Sequence, residues 1–287
     1  MKFTVEKYRN WVHKSITLLG MSGVGKTYLS TMLRRHQWFH YSGDYRIGTR
    51  YLNEPILDQI KQQAMQIPFL RDLLRRDWIH ISNNIKIDDL GPVLSFIGKL
   101  GNPEQDGLPI AEFKRRQALY RRCEINAMRD VPEFIKKAKE IYGYQHFVND
   151  VGGSLCELES PSVIELLAKH TLILYIQVTS DTEEDKLIQR AQSDPKPLYY
   201  RPEFLDAHLT LYLKEMGFRF AAEMDPDAFT SWIFPYLFKS RIPRYESIAK
   251  PYGYTVTSQE VAAVRNEAAF NTLIETAISR HNSELSA

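Results

Sequence analysis

The stretch Gly20-Met21-Ser22-Gly23-Val24-Gly25-Lys26-Thr27 constrains this chain more than any other part of it. Every position fits G-x-x-x-x-G-K-[ST], and the spacing has a chemical reason. Glycines let the backbone curl so that several N–H groups point inward at phosphate oxygens. A helix opening near Gly25 adds the positive end of its dipole. Lys26 can reach the β- and γ-phosphates, and the Thr27 hydroxyl can bind Mg²⁺. The flanks agree: Ser15 to Leu19 is a short β-type run ended by Gly20, and Leu29, Met32 and Leu33 follow at helical spacing. Strand, glycine turn and helix around a phosphate predict an α/β fold that binds ATP with Mg²⁺.

The remaining chain is read around that opening. Trp38 to Tyr41, Tyr144 to Val148, Thr171 to Val178 and Tyr252 to Val256 read as further strands. The third of these is a near-continuous apolar run of the kind buried in parallel sheets. Helices are expected over Asn53–Met65, Phe69–Trp78, Ile110–Arg129, Pro132–Tyr142, Pro161–His170, Asp181–Ala191, Pro202–Gly217 and Asp225–Phe238. A last amphipathic helix is expected over Ser258–His281, with Ser258 as N-cap. Strands alternating with helices predict a mostly parallel central sheet with helices on both faces, a three-layer α/β/α arrangement. No repeat or low-complexity linker divides the chain. Residues 1–287 are therefore expected to form one domain, with helical insertions at about 55–109 and 194–238. Trp38, Trp78 and Trp232 are expected to pack in cores or under helices.

Composition removes other classes. The 287 residues are enough for a full core, and 44% hydrophobic with 25% charged residues is ordinary for a globular chain. Lys+Arg is 37 and Asp+Glu is 35, a net charge of +2, without the strongly basic balance expected of a nucleic-acid binder. Mean hydropathy is −0.36. The longest apolar run falls far short of the ~20 residues a membrane helix needs. Cys123 and Cys156 make no disulfide framework and read as buried or half-buried thiols. The first 14 residues lack a signal-peptide core. A soluble, cytoplasmic protein is expected, with no membrane and no nucleic-acid partner; its oligomeric state is not encoded in any pattern here.

A second phosphate-site residue should come from another strand end. Asp150 follows the Tyr144–Val148 run, and Asp44 follows the Trp38–Tyr41 run. Two carboxylates at strand ends suit a kinase: Asp150 would help hold Mg²⁺, and Asp44 would take or orient the acceptor's hydroxyl proton. The segment Pro195 to Pro202, carrying Lys196, Tyr199, Tyr200 and Arg201, reads as a mobile lid that brings charge onto phosphates.

These residues together resemble shikimate kinase and its small-molecule kinase relatives, P-loop proteins of the nucleoside monophosphate kinase-like group. The family's Asp-x-Asp motif is similar to Ser42-Gly43-Asp44, with Ser42 in place of the first acid. Its Phe-Arg-x-x-Glu helix has a partial echo in Phe113-Lys114-Arg115-Arg116-Gln117, which the resemblance makes an acceptor-binding segment through Lys114 and Arg115. Its Gly-Gly-Gly substrate loop resembles Val151-Gly152-Gly153. Arg190 lies near where the family places an adenine-side Arg. Lys196-Pro197-Leu198 resembles the Arg-Pro-Leu lid motif, with Lys for Arg. Arg241 to Tyr245 resembles the Arg-x-Pro-x-Tyr helix, in which Arg holds an acceptor carboxylate. The resemblance implies a phosphotransferase that moves the ATP γ-phosphoryl group to a hydroxyl of a small anionic molecule. Two alternatives share the loop: a nucleotide switch or partner-binding NTPase, and a nucleoside or nucleotide kinase.

Overall fold

In a computed structural model of the chain, which describes residues 3–284, seven strands and fourteen α-helices are found among the described residues. The strands are β1 Ser15–Leu19, β2 Trp38–Ser42, β3 Lys99–Leu100, β4 Gly107–Leu108, β5 His146–Asp150, β6 Leu172–Gln177 and β7 Gly253–Thr257. The helices are α1 Val5–Arg9, α2 Lys26–Arg34, α3 Gly43–Arg46, α4 Asn53–Ala64, α5 Pro68–Arg75, α6 Gly91–Ile97 and α7 Ile110–Arg129. They continue with α8 Val131–Glu140, α9 Pro161–His170, α10 Asp181–Ser193, α11 Pro202–Met216, α12 Pro226–Tyr252, α13 Ser258–Ala263 and α14 Glu267–Glu284.

Five strands form one sheet in the order β2-β5-β1-β6-β7, and every pairing in it is parallel. The expected α/β/α class is what the chain adopts. The central strand β1 is buried at all five positions, which is why its residues read as a continuous run rather than an alternation. Alternate residues of β2 show the two layers. Trp38 packs on Phe270 of α14, while Tyr41 on the opposite face packs on Phe134 of α8 and donates to the Ala127 carbonyl of α7. No helix among the described residues is long and apolar enough to cross a membrane.

Several expected boundaries shift for identifiable reasons. The third main strand starts at His146 instead of Tyr144, because the Tyr144 N–H is taken by the Ala138 carbonyl of the preceding helix. The strand also runs on past Val148, so that Asp150 is its last residue. The helix expected to end at Phe238 runs on to Tyr252 through Pro235, Pro243 and Pro251. Pro235 lacks the N–H that would bond the Ser231 carbonyl. The Gln192 side chain of α10 takes that carbonyl instead, at 3.3 Å. The single helix expected over Ser258–His281 is two, because Asn266 caps a new start by accepting from the Ala269 N–H at 2.9 Å. Its N-cap is Thr257, not Ser258: Thr257 and Glu260 form a reciprocal capping box. Trp78 is not in a core; it is 67% exposed, with Arg76 stacked on its ring.

Two hydrophobic clusters fill the molecule. The larger lies on both faces of the sheet. The smaller joins Phe113, Tyr200, Phe204, Tyr212, Phe229 and Ile233, so α11 and the first half of α12 carry a core of their own beside the end of α7.

Candidate functional site

The Gly20–Thr27 loop joins β1 to α2 at the carboxyl edge of the sheet. Two of its glycines are required by geometry. Gly25 is the N-cap of α2 at φ 104°, a left-handed conformation, and a Cβ there would fall 2.8 Å from Val261 of α13. Gly20 passes so close to β6 that a Cβ would meet the Ile176 carbonyl oxygen at 2.7 Å. Lys26 is 6% exposed, and its Nζ donates to the Gly20 and Met21 carbonyls at 2.7 Å each. Burial pushes the Lys26 pKa down, and Asp150 and Asp44 oppose that shift. Thr27 Oγ1 donates to Asp150 Oδ2 at 3.0 Å, which brings hydroxyl and carboxylate to one point. His40 on β2 stands beside them, with Nε2 3.7 Å from Asp150 Oδ2. A glycine-lined loop, a buried ammonium and a hydroxyl–carboxylate pair are the donor set that a triphosphate with Mg²⁺ requires.

One side of the loop opens into a cleft of about 120 Å³ lined by Ser22, Gly23, Leu187, Arg190, Lys196 and Phe234, among others. The structure thus brings Arg190 and Lys196 to the same cleft as the glycine loop. Lys196 is on its rim, 59% exposed and 3.4 Å from Asp194.

The other side is built by α3, α7 and the turn after β5. Ser42 of β2 lies in register with Asp150 of β5, so the two strand ends are neighbours. Ser42 caps α3, accepting from the Tyr45 N–H, and Asp44 sits in the first turn of that helix. Asp44 Oδ1 accepts from the Tyr120 hydroxyl at 3.1 Å. Burial, followed by the Asp150 charge, holds the Asp44 carboxyl above its usual range. Gly152 faces Asp44 and Glu124, and Gly153 faces the loop: a Cβ on Gly153 would lie 3.4 Å from the Ser22 N–H nitrogen and 3.5 Å from Arg241 Nη1. Arg241 is 3% exposed. It donates to the Tyr199 carbonyl at 2.8 Å and lies 3.4 Å from Glu157, itself 0% exposed.

Two expected residues are elsewhere. Lys114 pairs with Asp206 of α11 at 2.6 Å, and Arg115 pairs with Glu112 at 2.7 Å on an exposed part of α7. Neither touches Asp44, Gly152 or Arg241. Arg116 is buried, but it is spent on Glu112 and the Phe96 carbonyl. The part of α7 that reaches the site lies two turns further on, at Tyr120 and Glu124. The spacing aromatic-Arg-x-x-Glu recurs there unbroken as Tyr120-Arg121-Arg122-Cys123-Glu124, a signal carried by the sequence itself.

The lid also differs from expectation. Tyr199 and Tyr200 are 5% and 3% exposed. Gln117 of α7 clamps the backbone on either side of Tyr199: its Nε2 donates to the Leu198 carbonyl at 3.1 Å and its Oε1 accepts from the Tyr200 N–H at 2.8 Å. Arg201 pairs with Glu157 at 2.7 Å. The back half of the expected mobile segment is thus tied down, while Lys196 at its front, with Asp194 just before it, is exposed.

No protein-family model matches the chain, and no curated protein matches it. Among solved structures, the chain is similar to a shikimate kinase from Bacteroides thetaiotaomicron, at 15% identity over 96% of this chain and 99% of that one, with a TM-score of 0.37. A similarity that low leaves the chemistry to be argued from this chain's own residues.

Proposed function

We propose that the chain is an ATP-dependent kinase that transfers the γ-phosphoryl group to a hydroxyl of a small anionic molecule. The observation that carries this reading is Asp44, a half-buried carboxylate beside the glycine loop and separate from the Thr27–Asp150 pair. A switch-type NTPase needs the loop and the metal pair. It has no need of a second, half-buried carboxylate opposite a Gly152-Gly153 turn with a buried Arg241 behind it.

In this reading the backbone of Gly20 to Gly25 and the Lys26 ammonium bind the phosphates, with Lys26 exchanging its two carbonyl partners for phosphate oxygens. Thr27 and Asp150 would hold Mg²⁺, which when bound draws charge from the phosphate oxygens. Arg190 flanks the nucleotide cleft, and Lys196 brings positive charge to its rim. Asp44 orients the acceptor hydroxyl. As the hydroxyl oxygen bonds to the γ-phosphorus, the bond to the β–γ bridging oxygen breaks, ADP leaves with that electron pair, and Asp44 receives the hydroxyl proton. The raised pKa of Asp44 suits a proton acceptor. Gly152 and Gly153 keep the acceptor's approach free of side chains, and Arg241 provides positive charge for its anionic group.

The test joins binding to turnover. Lys26→Ala should abolish measurable calorimetric binding of a non-hydrolysable ATP analogue. Asp44→Asn should keep that binding and lose phosphoryl transfer, by about two to four orders of magnitude for removal of a general base. An acceptor panel of hydroxy acids, sugars, nucleosides and nucleoside monophosphates, run against a no-acceptor control, reports the reaction class. ATP hydrolysis at the same rate with and without every acceptor would overturn the kinase reading in favour of an NTPase.

A further inference from the structure

Two carboxylates converge on the face of Gly152, and neither makes an ion pair among the described residues; the Lys26 charge offsets Asp44 only in part, and Arg241 offsets Glu124 only in part. A Cβ on Gly152 would lie 3.1 Å from Asp44 Oδ1 and 3.1 Å from Glu124 Oε1. Glu124 is 0% exposed. Its Oε2 accepts from the Ser154 hydroxyl at 2.7 Å, and its Oε1 is buried with no hydrogen-bond partner. The nearby cations have other neighbours. Lys26 donates to the Gly20 and Met21 carbonyls, and Arg241 donates to the Tyr199 carbonyl and lies 3.4 Å from Glu157, its Nε without a hydrogen-bond partner. The other groups around the pair, Tyr120 and Ser154, are neutral hydroxyls.

An unanswered pair of acids, one buried and one half-buried, is costly, because loss of water disfavours each charge and each charge disfavours the other. Without ligand the protein meets that cost by keeping Glu124 protonated, as burial raises its carboxyl to about 8. A protonated Glu124 still leaves Oε1 without a partner. A neutral hydroxyl brought to the Gly152 face could bond Oε1 but brings no charge to offset Asp44 or to let Glu124 release its proton. A cationic N–H donor would answer both at once, with charge-assisted hydrogen bonds to two oxygens that already face the same point.

We propose, resting on the kinase reading above, that the face of Gly152 between Asp44 and Glu124 is an ammonium subsite, and that the phosphoryl acceptor is an amino alcohol. Where Arg241 takes an acid group of the same molecule, the acceptor is zwitterionic, a hydroxy amino acid or a close analogue. Glu124 is then the residue that separates such an acceptor from its deaminated counterpart.

The experiment compares paired acceptors that differ by the amine: L-homoserine against 4-hydroxybutyrate, serinol against glycerol, and glucosamine against glucose. Each is titrated calorimetrically into the full chain saturated with a non-hydrolysable ATP analogue and Mg²⁺. In at least one pair the amine should bind tenfold tighter or more, about the effect of one charge-assisted hydrogen bond. Glu124→Gln, which keeps the shape and loses the charge, should erase that preference. Equal affinity within every pair, no binding by any amine, or an amine preference that survives Glu124→Gln overturns the subsite. Should Glu124→Gln not fold, Gly152→Ala places a methyl between the two oxygens and should remove amine binding selectively; a preference that survives it also overturns the subsite. The two proposals fail separately. No binding of the ATP analogue itself sinks the kinase reading, whereas analogue binding without amine preference sinks only this one.

Discussion

Glu124 makes a claim about stability as well as about ligand. Its carboxyl rises to about 8 in the folded chain from an ordinary 4.5, chiefly through burial. The folded protein therefore keeps a proton, between those two pH values, that the unfolded chain has released. The stability from this group is complete below about pH 4.5 and is lost as pH rises through about 8. Glu124→Gln cannot ionise. The difference in unfolding free energy between variant and wild type should therefore grow in the variant's favour across that window, by on the order of a few kcal/mol. Denaturant unfolding of both proteins from pH 4 to pH 9 measures it, and a difference that stays constant with pH would refute a buried, unpartnered acid. Single residues were legible in the sequence where the chemistry is local. Gly20 to Thr27 is one loop, so its spacing carries the whole arrangement. Asp44 and Asp150 could be found because a strand end places a side chain whatever the neighbouring strand is. Glu124 could not be found that way. The aromatic-Arg-x-x-Glu spacing at Tyr120–Glu124 marks its helix but does not tell an acid aimed at Gly152 from one aimed at water, and the partial match at Lys114 lies two turns too early.

At the scale of elements, α7 holds two things in place. Gln117 clamps the Leu198–Tyr200 backbone, and Tyr120 and Glu124 reach the acceptor side. Gln117→Ala removes both of Gln117's bonds and leaves the buried Tyr200 N–H without a partner, a loss of roughly 1–3 kcal/mol, and less for the part-buried Leu198 carbonyl. Amide exchange at Tyr200 should be slow in the wild type without nucleotide and much faster in the variant. Gain of protection on nucleotide binding should be confined to residues 194–197, the front of the lid. Equal exchange at Tyr200 in the two proteins would mean that the clamp holds nothing. Composition predicted a lid here from prolines and charge, but burial of Tyr199 and Tyr200 depends on contacts with α7 and α12, which sequence spacing does not report. The same limit explains α12. Three prolines argue for interruptions, and the helix survives because a side chain from another helix takes a carbonyl that Pro235 leaves free.

For the whole molecule, the two hydrophobic clusters imply two regions that need not lose structure together. Phe229 is 0% exposed in the smaller cluster, against Tyr212 and Trp232. Phe229→Ala should cost about 3–5 kcal/mol of local stability. Because the sheet belongs to the larger cluster, the loss should appear as early opening of α11 and the start of α12, with β1 and β6 still protected. Limited proteolysis with mass mapping distinguishes the cases, and simultaneous loss of protection in both regions would show a single cooperative unit. The α/β/α class itself was readable from the chain, since apolar runs alternating with helices leave few other solutions.

The strand order also sets a timetable for synthesis. The central strand β1 is paired only with β5 and β6, and β2 only with β5, so the first two strands wait for His146 before either gains a neighbour in the main sheet. Until then a nascent chain exposes an apolar strand, Ser15–Leu19, and the glycine loop has no second strand end beside it. Long-range parallel pairing of this kind is slow and leaves strand edges open to aggregation. A ribosome-bound chain stopped before residue 146 should therefore carry no assembled nucleotide site, and the protein's dependence on chaperones should be concentrated in the first half of its translation.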